Sequence, residues 1–209
     1  MRIFCLPGAG ADPNFWRPLG ERLPAEWDKT YFGWPGLGHQ PAHPDVNSLE
    51  DLVKLVETQL GSESVDLLAQ SMGGLIAMIL ALRHPKSIRR LVLCVTSAGV
   101  HMPQFGADDW RETYRQNYPN AAGWVGDVYS DLSHDLTRVT QPVLLIWGDA
   151  DPISPVAVGR YLKDVLPNAE LCVVKGGDHD IVHDRAADLA PLIARHLASN
   201  PTHSVSGPK

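Results

Sequence analysis

Apolar runs of strand length recur along the chain at Arg2–Leu6, Lys29–Gly33, Ser64–Ala69, Arg90–Thr96, Val143–Trp147 and Glu170–Val174. Most are continuously apolar rather than alternating, as strands are when helices cover both faces of their sheet. Between them lie segments with apolar positions at helical spacing: Phe15–Leu23, Leu49–Leu60, Met72–Arg83, Val156–Leu166 and Arg185–Ala198. In Leu49–Leu60 the residues Leu49, Leu52, Val53, Val56 and Leu60 share one face, with Asn47 or Ser48 placed to cap the start. Met72–Arg83 is apolar almost all round and is expected to be buried. Alternating strands and helices predict an α/β fold: a doubly wound, mostly parallel sheet with helices on both faces.

The alternation breaks once. Residues 97–140 contain no clear strand but hold Trp110, Tyr114, Tyr118, Trp124 and Tyr129. That span is too long for a plain connection between core strands, so a small helical lid insertion is expected there. The whole predicts a single domain over residues 1–199, followed by a loose Pro/Ser/Gly-containing tail at Asn200–Lys209.

Composition narrows the class. The 209 residues are 44% hydrophobic and 20% charged, ordinary for a globular domain with a real core. The net charge of −6, without a Lys/Arg run, argues against nucleic acid or an anionic membrane surface as partner. No stretch approaches the roughly 20 apolar residues of a membrane span. The first apolar run is too short for a signal-peptide core, which makes the cytoplasm the expected location. Cys5, Cys94 and Cys172 each sit in a strand-like run. An odd count without a CxxC pair reads as buried thiols in a reducing compartment.

In an open α/β sheet, ligands bind beyond the carboxyl ends of the strands. Three of those ends carry reactive side chains. After the third run comes Gln70-Ser71-Met72-Gly73-Gly74, where a serine at a tight strand-to-helix turn would present its hydroxyl. The plainer reading is a serine that caps the next helix. After the fifth run comes WGDADPISP, with Asp149 and Asp151, either of which could simply form a turn. After the sixth comes KGGDHDIVH, with His179 behind a double glycine. A serine hydroxyl is a weak nucleophile that needs an imidazole to take its proton and a carboxylate to orient that imidazole. Ser, Asp and His occur here in that order, each just past a predicted strand.

Order, spacing and flanks resemble the α/β-hydrolase fold family over nearly the whole chain. The resemblance implies Ser71 as nucleophile, Asp151 as the acid of the turn from Gly148 to Pro155, and His179 as general base. It makes Asp149 the weaker candidate for the acid. It implies oxyanion donors at the amides of Met72 and, from the Leu6-Pro7-Gly8-Ala9-Gly10 loop, Ala9. His183 lacks the glutamate of a zinc-protease motif and is expected near a helix start. Several departures stand out. Ala69 occupies a position where many members have Gly. Pro7 replaces a common His and resembles the corresponding loop of type II thioesterases. Gly33 replaces an Asp. The chain also begins at what corresponds to the third strand of the family's eight-strand sheet, so about six strands are expected.

The activity this implies is hydrolysis of a small carboxylic ester through an acyl-enzyme, with a small-molecule acyl substrate and no metal or organic cofactor. Thioester cleavage, or carbon–carbon bond cleavage or a lyase reaction, would use the same three residues, and a ligand-binding homologue without catalysis would share the scaffold. Trp34, Trp110 and Tyr114 are candidates to line the substrate pocket. The plainer alternative is that Trp110, Tyr114 and Tyr118, four apart, pack a lid helix onto the core.

Overall fold

The computed structural model describes residues 1–199; the expected tail at Asn200–Lys209 lies outside the described residues. Its six strands are β1 (Arg2–Leu6), β2 (Asp28–Tyr31), β3 (Val65–Gln70), β4 (Ile88–Cys94), β5 (Val143–Gly148) and β6 (Ala169–Val174). They form one sheet in the order β2-β1-β3-β4-β5-β6. Every pairing is parallel, so the expected mostly parallel sheet is wholly parallel among the described residues. β3 and β5 are buried at every position, which is why their sequences do not alternate. The edge strands β2 and β6 are partly exposed.

The helices are α1 (Arg17–Gly20), α2 (Leu49–Glu57), α3 (Met72–Arg83), α4 (Arg111–Asn117), α5 (Val156–Val165), α6 (Ile181–Asp184) and α7 (Ala186–Ala198). α1 is a single turn, shorter than the predicted Phe15–Leu23. Pro18 supplies no amide for a longer ladder, and Gly20 packs so closely on Tyr31 that a Cβ there would overlap its hydroxyl. Ser48 is the cap of α2: its side chain accepts from the Asp51 amide at 3.3 Å, while Leu52, Val53 and Val56 turn inward. α3 matches its predicted limits and is buried from Met72 to Ala81.

Residues 97–140 carry α4 and three single turns of 3₁₀ helix at Met102–Phe105, Gly123–Asp127 and Leu136–Arg138. No helix among the described residues is long and apolar enough to cross a membrane.

Candidate active site

The end of β3 turns into α3 within one residue. Ser71 bears the whole change of direction, with φ 52° and ψ −121°. Such a backbone is costly for a residue with a side chain, about 1–3 kcal/mol, and survives only where neighbours enforce it. Here they do. The Ser71 amide donates to the Cys94 carbonyl at 3.0 Å, and its carbonyl accepts from the Thr96 hydroxyl at 2.6 Å and the Gly74 amide at 2.9 Å. Ser71 stands in the cap position of α3, but its hydroxyl caps nothing. Ala69 keeps an extended backbone, and its methyl is fully buried within the sheet. The close approaches fall instead at Gly73 and Gly74. A Cβ at Gly73 would come within 2.6 Å of the Pro7 carbonyl oxygen, and one at Gly74 within 2.6 Å of the Thr96 methyl.

The Ser71 hydroxyl lies 2.9 Å from His179 Nε2, and His179 Nδ1 lies 2.8 Å from Asp151 Oδ2. A carboxylate accepts only, so Nδ1 carries the hydrogen and the Nε2 lone pair faces the hydroxyl. Asp151 is buried, and its second oxygen accepts from the amides of Ile153 at 2.8 Å and Ser154 at 3.2 Å. Asp149 is engaged elsewhere: its Oδ1 accepts from the Gly176 amide at 2.5 Å and closes the turn ahead of the histidine loop. His183 lies outside this relay. It bonds Asp184 at 2.9 Å, and its ring stacks on Phe15.

The loop after β1 lies beside Ser71. Ala9 and Met72, the expected oxyanion donors, both border the same cavity as the Ser71 side chain. Trp34 is fully buried, and its indole N–H donates to the Pro7 carbonyl at 2.8 Å, so it supports this loop from beneath and is absent from the cavity wall. Tyr114 is 9% exposed, and its hydroxyl is shared between the Ala9 carbonyl and the Gly38 amide, each at 2.9 Å. Burial pushes its phenol above the usual tyrosine range. Trp110 does border the cavities, packing edge-on against Tyr114.

Two cavities meet at Ser71. One, of about 430 Å³, is lined by Leu75, Val100, Met102, Val128 and Trp110, with His101, Arg111 and the shared carboxylates Asp108 and Asp109 among its polar groups. The other, of about 580 Å³, contains His179 and the carboxylates Asp12, Asp108, Asp109 and Asp180, and no Lys or Arg lines it. Burial raises the Asp180 carboxyl above its ordinary value, against the opposing pull of His179. Residues 97–140 supply much of both walls.

Two buried polar residues escaped the sequence reading. Gln70 donates from Nε2 to the His179 carbonyl at 3.0 Å, tying the histidine loop to the end of β3. Thr96 holds the Ser71 carbonyl and accepts from the Ala98 amide at 3.1 Å. Each is a polar residue closing an apolar run, Gln70 as the last residue of β3 and Thr96 two residues past the neighbouring β4, and that was the available signal. Cys5 and Cys94 are buried and Cys172 is half-buried, all unpaired; burial pushes the Cys94 thiol well above its usual value.

A family model described as the alpha/beta hydrolase fold matches residues 2–123 and 120–186. The chain is 28% identical over 224 residues to a pimeloyl-[acyl-carrier protein] methyl ester esterase of Neisseria meningitidis serogroup C, covering 85% of this chain and 86% of that protein. It is 26% identical to a poly(3-hydroxyalkanoate) depolymerase of Ectopseudomonas oleovorans, over 99% of this chain and 88% of the other. Among solved structures, an esterase from Exiguobacterium antarcticum superposes with a TM-score of 0.76 at 18% identity, covering 95% of this chain and 92% of that one. Sheet order, strand-end geometry and sequence similarity agree: the chain belongs to the α/β-hydrolase fold family.

Proposed function

We propose that this chain is a serine hydrolase that cleaves a small carboxylic ester through an acyl-enzyme on Ser71. The observation that carries the reading is the continuous hydrogen-bonded relay from Ser71 through His179 to buried Asp151. His179 Nε2 takes the Ser71 proton as Oγ attacks the carbonyl carbon. The amides of Ala9 and Met72 receive the oxyanion. Asp151 stabilises the imidazolium, which then protonates the leaving alkoxide as the acyl carbon–oxygen bond breaks. Water, deprotonated by the same nitrogen, releases the acid and restores Ser71.

The leaving oxygen must reach His179 Nε2, so the alcohol occupies the cavity that contains His179. The acyl group fills the cavity lined by Leu75, Val100 and Met102, beneath residues 97–140 acting as a lid. Asp12 and Asp180, which line only the alcohol side, favour a neutral alcohol there over a polyanionic thiol carrier such as coenzyme A. The names of the relatives at Neisseria and Ectopseudomonas, both ester-cleaving, point the same way.

The test compares wild type with Ser71→Ala on p-nitrophenyl esters of increasing chain length, beside acyl-CoA thioesters. Wild type is expected to prefer the esters, and Ser71→Ala to lose about 10³-fold or more in kcat. Near-wild-type ester turnover by folded Ser71→Ala overturns the assignment.

A further inference from the structure

Four successive carbonyls in the turn after β1 are each held by a donor. Leu6 O accepts from the Trp16 indole at 3.0 Å, and Pro7 O from the Trp34 indole at 2.8 Å. Gly8 O accepts from the Ala11 amide at 3.0 Å, and Ala9 O from the Tyr114 hydroxyl at 2.9 Å. Trp16, Trp34 and Ala11 lie in the first part of the chain. Tyr114 alone reaches in from α4, 105 residues away, and it is the one buried side chain of that helix.

The bond from Ala11 to Gly8 closes a four-residue turn with Ala9 and Gly10 at its centre. The two common forms of such a turn differ in the orientation of the central peptide, here the Ala9 carbonyl and the Gly10 amide. The flipped form needs a positive φ at its second central residue, which glycine adopts without steric penalty. Gly10 is not at positive φ in this structure. The chain therefore carries a turn whose central peptide is free to flip, beside a phenol that holds it unflipped. The phenol is itself oriented: the Gly38 amide donates to its oxygen at 2.9 Å, which directs the hydroxyl hydrogen to Ala9 O. Gly38 is packed so tightly on Gly10 that a Cβ there would overlap the Gly10 carbonyl, so the anchor cannot drift from the turn.

We propose that Tyr114 is a positioning residue for the reaction: by holding the Ala9 carbonyl it anchors the backbone of Ala9, the residue whose amide faces the oxyanion. The inference rests on the ester-hydrolase reading above. Without the phenol, the Ala9–Gly10 peptide divides between two orientations; that rotation is taken up at ψ of Ala9 and φ of Gly10, so Ala9 loses the anchor at its carbonyl end and its amide, on the preceding peptide, is held less tightly beside Ser71. Oxyanion stabilisation depends on donors fixed before charge develops, so the loss falls on the transition state more than on the bound ester.

The experiment measures kcat, KM and thermal unfolding for Tyr114→Phe, together with inhibition by an alkyl boronic acid, which forms a tetrahedral anion on the serine. Ser71→Ala runs in parallel. The expected result is a kcat lower by about 10- to 100-fold with KM within about two-fold. Boronate affinity should fall in step with kcat, while affinity for the product acid is unchanged. Incorporation of para-aminophenylalanine at position 114, which returns an N–H donor, should recover most of the loss. A folded Tyr114→Phe with wild-type kcat and boronate affinity overturns the inference while leaving the hydrolase reading intact. So does an equal loss of boronate and product-acid affinity, or a kcat loss that the amino analogue fails to restore. Full activity in Ser71→Ala overturns the hydrolase reading itself.

Discussion

The side-chain amide of Gln70 reaches the main-chain carbonyl of His179 at 3.0 Å, joining the residue before the candidate nucleophile to the candidate base. Gln70 is buried, and its carbonyl end lies against Gly8 of the loop after β1. One side chain thus touches all three segments that converge on Ser71. Gln70→Glu keeps the shape but sets a carboxylate oxygen against the His179 carbonyl. Two acceptors face each other, at a cost of about 1–3 kcal/mol, and the histidine loop is pushed off its position. The expected outcome is a kcat lower by roughly one to two decades, with a lower melting temperature. Steady-state kinetics and a thermal melt of the purified variant check it. An unchanged kcat would mean that the loop from Gly176 to Asp180 holds His179 unaided.

The two aspartates of the turn after β5 are expected to separate cleanly. Asp151 Oδ2 meets His179, and its other oxygen is held by two amides. Asp151→Asn preserves that shape but replaces an acceptor with an amide group, which favours the tautomer with the Nδ1 lone pair exposed and Nε2 protonated. The histidine can then no longer accept the Ser71 proton. A kcat loss of about 10³- to 10⁴-fold with an intact fold is the expected outcome. Asp149→Ala removes the bond to the Gly176 amide and should cost about 1 kcal/mol of stability, with kcat within a few-fold. Parallel kinetics and denaturant titrations of the two variants decide it; equal kcat losses would contradict the assignment.

The sheet was legible because parallel strands covered on both faces are written as unbroken apolar runs, and β1 and α3 match their expected limits. The strand ends then pointed to Ser71, Asp151 and His179, since a parallel sheet brings its carboxyl ends to one edge. What sequence alone could not decide was whether Ser71 caps a helix. That depends on a φ of 52° and on an imidazole 108 positions away. Gln70, Thr96 and Tyr114 were obscure for the same reason. Their partners are main-chain groups distant in sequence, and no local spacing records a hydrogen bond from position 114 to position 9. Trp34 misled because a tryptophan at a strand edge looks like a pocket wall, while its indole N–H had a buried carbonyl to satisfy.

His196 on α7, bonded to β4 at Leu91 and outside the relay of Ser71, His179 and Asp151, sets a pH limit on stability. Its Nε2 lies 3.0 Å from the Leu91 carbonyl, and so carries a hydrogen that it donates there. Burial, and then the neighbouring Arg90, lower its pKa from the ordinary 6.5; the Leu91 carbonyl and Glu170 pull the other way without prevailing. The unfolded chain keeps the ordinary value, so between the two pKa values it binds more protons than the folded protein does. Stability therefore rises with pH through that window. The contribution is complete above about pH 6.5 and is lost as pH falls through the depressed folded value. His196→Gln retains a donor for Leu91 but cannot titrate. Denaturant titrations between pH 7.5 and 5 should show wild type losing stability more steeply than His196→Gln. Parallel slopes for the two proteins would mean that His196 takes up its proton as readily folded as unfolded.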